Sequence, residues 1–127
     1  MDSEDNTIKS VKDLRIYRES YRLAIEVFHL TKRFPKEELF SLTDQIRRYS
    51  RSVPMNIREG YAKKKYEQIF IRQLVDALGS SEETRGWLEF EKDCNYITLQ
   101  EQEALDAEFS NLGGMINNLF KVWHTPK

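Results

Sequence analysis

Apolar positions recur every three or four residues along four stretches of this chain. Between 12 and 32 they are Leu14, Tyr17, Tyr21, Ala24, Ile25, Phe28 and Leu30, a spacing that predicts an amphipathic helix of about five turns. Phe34-Pro35 closes it, because the residue before proline is pushed out of the α region. The second stretch carries Leu42, Ile46, Tyr49, Val53, Asn56, Ile57 and Gly60. At about 100° per residue these fall within an arc of roughly 100°. Ser41 is the expected N-cap, with Asp44 in the capping-box place. The register runs straight through Pro54, which predicts one kinked helix rather than two. The proline ring removes a donor and crowds the carbonyl of Ser50, at a cost of ~3 kcal/mol unless something compensates. Asn56, at the edge of the apolar arc, is the expected compensating group.

The third stretch runs from about Tyr66 to Cys94. Phe70, Leu74, Ala77, Ser81, Thr84 and Leu88 form its stripe, with Ile69, Ser80, Trp87 and Phe90 beside it. Its small middle, Ala77 to Ser81, suits a close approach of two backbones, or is simply poor helix former tolerated in a long element. Thr98-x-x-Glu101 is a capping box that opens the fourth helix. Leu105, Phe109, Leu112, Ile116, Leu119 and Trp123 are its seam. Four helices with short connections predict an all-α fold: a single-domain, antiparallel, up-down-up-down four-helix bundle over residues 11–125, after a disordered lead over 1–10.

Composition narrows the class. The 127 residues suit one domain, and three prolines with five glycines leave little material for the turns of a sandwich or barrel. The lone cysteine, Cys94, excludes an internal disulfide and a Cys-rich zinc site. A small buried hydrophobe is its expected role, with a reactive thiol as the alternative. The polar start MDSEDNTIKS lacks the apolar core of a signal peptide, and no apolar run approaches the ~20 residues of a membrane span. The expected location is cytoplasmic, with no membrane contact.

No catalytic constellation emerges. His29 follows Glu26 in a Glu-x-x-His pattern, but there is no second copy of the kind a di-metal bundle uses. There is no P-loop, dinucleotide fingerprint or nucleophile elbow. The chain reads as a non-enzyme with no cofactor and no metal.

Charge is more informative. The net charge is only -1, yet residues 40–65 hold seven Lys/Arg against Asp44 and Glu59, a balance of +5. Residues 73–127 hold four against ten, a balance of -6. On the second helix Arg47, Arg51 and Arg58 project within about 40° of one another, opposite the apolar seam, with Pro54 on the same face. Arg48 is displaced to one side. Lys63, Lys64 and Lys65 extend the charge past the helix, and Arg72 begins the next one. Cations at helical spacing can follow a phosphate backbone, and Tyr49, Tyr61 and Tyr66 could offer stacking faces, although Tyr49 falls on the seam. Two other readings compete: a solvated outer face, or a basic helix that docks on Glu82, Glu83, Glu89, Glu91 and Glu108 of a neighbouring subunit.

Specific residues carry a family resemblance. They are Phe34-Pro35, Glu38, Leu42-Thr43, Gln45-Ile46-Arg47, Ser52-Val53-Pro54, Asn56-Ile57 and Glu59-Gly60, then Ala77-Leu78-Gly79-Ser80 with Glu82, and Tyr96-Ile97. In order and spacing the chain resembles the four-helix bundle proteins encoded in intervening sequences of bacterial 23S ribosomal RNA genes. Their relatives include the accessory variability determinant proteins of diversity-generating retroelements. The resemblance implies a homopentamer without enzymatic activity, with a basic surface that meets RNA or DNA and, in the retroelement relatives, a reverse transcriptase. The chain departs from the family pattern at Ala62-Lys63, where Gly-Arg is usual, at Lys65-Tyr66, where a capping serine is common, and at Arg58, often alanine.

Overall fold

The structure is a computed structural model that describes residues 8–123. Four α-helices follow in order: α1 (Arg15–Thr31), α2 (Leu42–Ala62), α3 (Glu67–Asp93) and α4 (Leu99–Val122). Short 3-10 turns, Val11–Asp13 and Lys36–Glu38, precede α1 and α2. Cross-helix contacts give the directions. Arg47 meets Thr31 and Arg58 meets Tyr17, so α1 and α2 are antiparallel. Ser52 meets Ser80, and Gly60 lies against Gln73, so α2 and α3 are antiparallel. Arg85 meets Asp106 and Ser81 meets Phe109 between α3 and α4, and Arg22 meets Glu108 between α1 and α4. The architecture is the predicted all-α four-helix bundle, closed around one core that includes Leu23, Val27, Ile46, Val53, Ile57, Phe70, Leu74, Leu88, Phe109, Leu112 and Ile116.

The seams of α2, α3 and α4 follow the sequence pattern closely. All six stripe residues of α3 are buried, joined by Glu91. The capping box at Thr98 and Glu101 is formed in both directions. A second capping box, between Ser10 and Asp13, orders the chain before α1. The expected disordered lead therefore stops short of Ser10, and its residues 1–7 lie outside the described residues.

Helix α1 is rotated from expectation. Its buried residues are Ile16, Tyr17, Ser20, Leu23, Ala24, Val27 and Thr31, whereas Tyr21 and Ile25 are exposed. Apolar side chains surround much of this helix, so periodicity allows more than one stripe. Docking of α4 selects the face with Leu23, which lies beside Leu112 and Met115.

Two local expectations need correction. Ser41 makes no capping bond to α2. Glu38 takes over from one turn back: its carboxylate accepts from the Ser41 hydroxyl at 2.5 Å, from the Leu42 N–H at 3.4 Å and from the Tyr96 hydroxyl at 2.7 Å. Asn56 does not serve the Ser50 carbonyl left by Pro54; it donates to the carbonyl and hydroxyl of Ser52, both at 2.9 Å, and Ser52 Oγ meets Ser80 Oγ at 2.8 Å. This relay joins α2 to α3. Ser80 and Ser81 of the small stretch reach α2 and the Phe109 carbonyl of α4, and a further close approach lies at Gly60. A Cβ at Gly60 would fall 2.7 Å from Gln73 Cβ and 2.9 Å from Phe70 Cδ1, while one at Gly79 would meet nothing within 4 Å.

Cys94 is exposed, not buried. It lies just past α3, before Asn95, whose φ of 65° turns the chain toward α4. Among the described residues no helix is long and apolar enough to cross a membrane.

Candidate nucleic-acid interface

Helix α2 touches α1 on one flank and α3 on the other, so its buried surface is wider than one seam. Pro54 is buried for this reason, and the arginine row does not stand opposite the core as the helical wheel predicts. It lies along the α1–α2 groove. Arg47 is half-buried; its Nε donates to Thr31 Oγ1 at 2.8 Å, and its guanidinium sits 4.8 Å from the centre of the Phe28 ring. Arg51, exposed, lies 5.7 Å from the same ring. One Arg58 N–H donates to the Tyr17 hydroxyl at 2.9 Å, with the guanidinium 5.7 Å from the Tyr17 ring. Such cation–π contacts orient an arginine yet leave most of its donors open.

The other predicted cations are placed differently. The Arg48 side chain is 72% exposed and only 3.9 Å from Asp44. Lys63 pairs with Glu59 at 2.8 Å, one turn back on the same helix. Lys64 Nζ lies 4.1 Å over the Tyr61 ring. Lys65 and Arg72 are exposed. Of the three tyrosines expected to stack, Tyr61 is buried, Tyr49 half-buried, and only Tyr66 is open, at 60%.

The bundle adds cations that the linear reading did not include. Antiparallel packing places the start of α1, the end of α2, the start of α3 and the end of α4 together. Across residues 8–20, 52–79 and 111–123 there are ten Lys/Arg against five Asp/Glu, a balance of +5. Lys12, Arg15, Arg18 and Lys121 thereby join Arg58, Lys63, Lys64, Lys65 and Arg72 at one end. A groove there is lined by Lys12, Tyr17, Arg18, Tyr21 and Arg58, and Arg15 lies near Lys121 in another. Nothing local marks these residues in the sequence, because more than 40 positions separate them from the Lys63–Lys65 run. The up-down-up-down topology is the signal that brings them together.

The opposite half of the bundle is acidic. Residues 21–51 and 80–110 hold nine Lys/Arg against thirteen Asp/Glu, a balance of -4. Several of these carboxylates are already engaged. Glu108 pairs with Arg22 at 2.6 Å, and Glu82 pairs with Arg85 at 3.1 Å. Glu91 is fully buried with both oxygens unpartnered, and that burial pushes its carboxyl up to about 8. Glu91 and Glu108 are therefore not open counter-charges for a neighbour's basic helix. Among the described residues, no group of His, Cys, Asp and Glu side chains is placed to hold a metal ion; His124 lies outside them.

Comparisons with known proteins agree with this architecture. The sequence model of the 23S rRNA-intervening sequence protein family matches residues 12–118. The fold is similar to a crystal structure of a protein of unknown function from the S23 ribosomal protein family of Bacteroides thetaiotaomicron. The two share 26% identity over 84% of this chain and 99% of that one, with a TM-score of 0.76. No curated protein matches.

Proposed function

Taking as premise that the chain belongs to the 23S rRNA-intervening sequence protein family, we propose that it is a non-enzymatic homo-oligomer that binds RNA or DNA through its basic end. The observation that carries this reading is the gathering of ten Lys/Arg against five carboxylates at one end of the bundle. Arg58, Lys63, Lys64, Lys65 and Arg72 are the central contacts, with Arg47, Arg48 and Arg51 continuing along the α1–α2 side. Each phosphate they neutralise releases condensed counterions, which gives affinity without base recognition. Repetition of this end in an oligomer makes the surface multivalent and raises avidity without any new contact. Five copies is the number the resemblance implies.

The test is fluorescence anisotropy with a structured RNA and a duplex DNA across a salt series. Replacing Lys63, Lys64, Lys65 and Arg72 by alanine together should reduce the slope of log affinity against log salt by about 3. No binding at low salt, or a quadruple variant that binds like the parent, sinks the proposal. Light scattering reads the assembly, and a monomer at all concentrations removes the oligomeric part.

A further inference from the structure

We infer that the groove between the start of α1 and the end of α2 is a subsite for an unpaired strand, holding one phosphodiester among Lys12, Arg18 and Arg58 and stacking one base on Tyr21. This deepens the nucleic-acid reading of the basic end and rests on it. The groove, of about 570 Å³, is lined by three cations and two aromatic rings and by no carboxylate. That size lies within the roughly 300–1,000 Å³ of small-ligand sites.

The two arginines are held in place by neutral partners rather than by ion pairs. One Arg58 N–H is fixed by the Tyr17 hydroxyl at 2.9 Å, and one Arg18 N–H by the Lys12 carbonyl at 2.8 Å. The remaining guanidinium donors are in a planar fork that suits phosphate oxygens. No described carboxylate forms an ion pair with Lys12, Arg18 or Arg58. The nearby Asp13 carboxylate already accepts from the N–H groups of Lys9 and Ser10, at 2.8 and 3.0 Å.

The two rings have different roles. Tyr17 is buried and covered by Arg58, so its part is to orient the arginine. Tyr21 is 50% exposed, with its ring centre 6.0 Å from that of Tyr17. A base inside a duplex presents only its edges to a protein, whereas an unpaired base can turn its face onto a tyrosine. An aromatic face bordering three cations therefore selects single strands. The Lys63–Lys65 run lies outside the lining of this groove and follows backbone of either kind.

The experiment uses the full chain with labelled single-stranded RNA, single-stranded DNA and duplexes of the same sequence, at fixed salt. Single strands of at least one sugar type should bind more tightly than their duplex. Tyr21→Ala should weaken single-strand binding roughly 5- to 150-fold and leave duplex binding unchanged, while Tyr21→Phe keeps the parent affinity. Arg18→Ala should weaken single-strand binding while circular dichroism stays that of the parent. Equal affinity for duplex and single strand, or Tyr21→Ala and Arg18→Ala variants that bind single strands like the parent, overturns the subsite while leaving the basic-end proposal standing. Absence of binding to every nucleic acid at low salt overturns both.

Discussion

At the end of the bundle that holds the α1–α2 and α3–α4 connections, arginines bridge helices. At the end that holds the α2–α3 connection, Lys63 pairs only with Glu59 of its own helix, and Arg18 and Arg58 meet neutral partners. The first end is stitched by Arg22–Glu108, Arg33–Glu101 and the forked Arg85–Asp106 pair, with Nε–Oδ1 at 2.7 Å. Arg33 and the Thr98 cap hold the Glu101 carboxyl down at about 2, and the Glu38 carboxylate pushes the Tyr96 hydroxyl up to about 12. At the second end Arg58 meets a phenol and Arg18 a carbonyl, both neutral partners. The same residue type thus closes the fold in one place and is left over in another, and the difference is only whether antiparallel packing brings a carboxylate opposite it. An excess of one sign at one end of a compact domain creates a directed field, which a net charge of -1 conceals.

The largest expected effect lies at the acidic end and comes from a carboxyl that no cation bridges. Glu91 is buried there without a partner. Its folded-state pKa, about 8, lies above the ordinary 4.5, so the folded protein holds the proton more tightly than the unfolded chain. Both states are protonated below about 4.5, and there the residue carries no ionisation penalty. As pH rises from about 4.5 to about 8 the unfolded state gains by ionising, and stability falls, by on the order of 3 kcal/mol. Glu91→Met should remove this part of the pH dependence and raise stability at pH 7. Urea unfolding at pH 5, 7 and 8.5 reads it, and an unchanged pH profile in the variant rules it out. Glu101 acts in the opposite sense: its stabilisation is present above about 4.5 and is lost as pH falls toward 2.

A smaller effect belongs to the basic end, where packing rather than pairing holds the helices. Gly60→Ala puts a methyl 2.7 Å from Gln73 Cβ, and overpacking of this kind costs about 1–3 kcal/mol. A midpoint equal to the parent's would mean that α3 retreats freely. The smallest effects sharpen the contrast itself. Arg85→Ala should cost about 1 kcal/mol, because it breaks a forked, partly buried pair. Lys63→Ala and Lys65→Ala should each stay within about 0.5 kcal/mol, while nucleic-acid affinity falls. Equal stability losses at the two ends would abolish the distinction.

The resemblance rests on residues that turn out to be joints between elements. Glu38 ties the start of α2 to Tyr96, Ser52 and Asn56 tie α2 to Ser80, and Gly60 admits α3. Of these, only Asn56 and Gly60 had a structural reading from the sequence, as a compensating group and as a seam position, although the partner of each was not available. Asn56 shows why: a polar residue at the edge of an apolar arc signals a buried hydrogen bond, but a helical wheel cannot say which carbonyl is open.

The sequence by itself determined four helices, three of their core faces, one complete capping box and the position of a basic segment. These are local properties, written in a 3.6-residue period and in cap chemistry that acts over three or four residues. Tertiary structure decided the rest. It chose which stripe of α1 is buried, because several were apolar enough and only packing against α2 and α4 separates them. It turned the arginine row of α2 from an outer face into a groove wall, because a bundle helix has two neighbours. It also collected Lys12, Arg15, Arg18 and Lys121 beside Lys63–Lys65, since charges distant along the chain become one surface only when antiparallel helices bring their ends together.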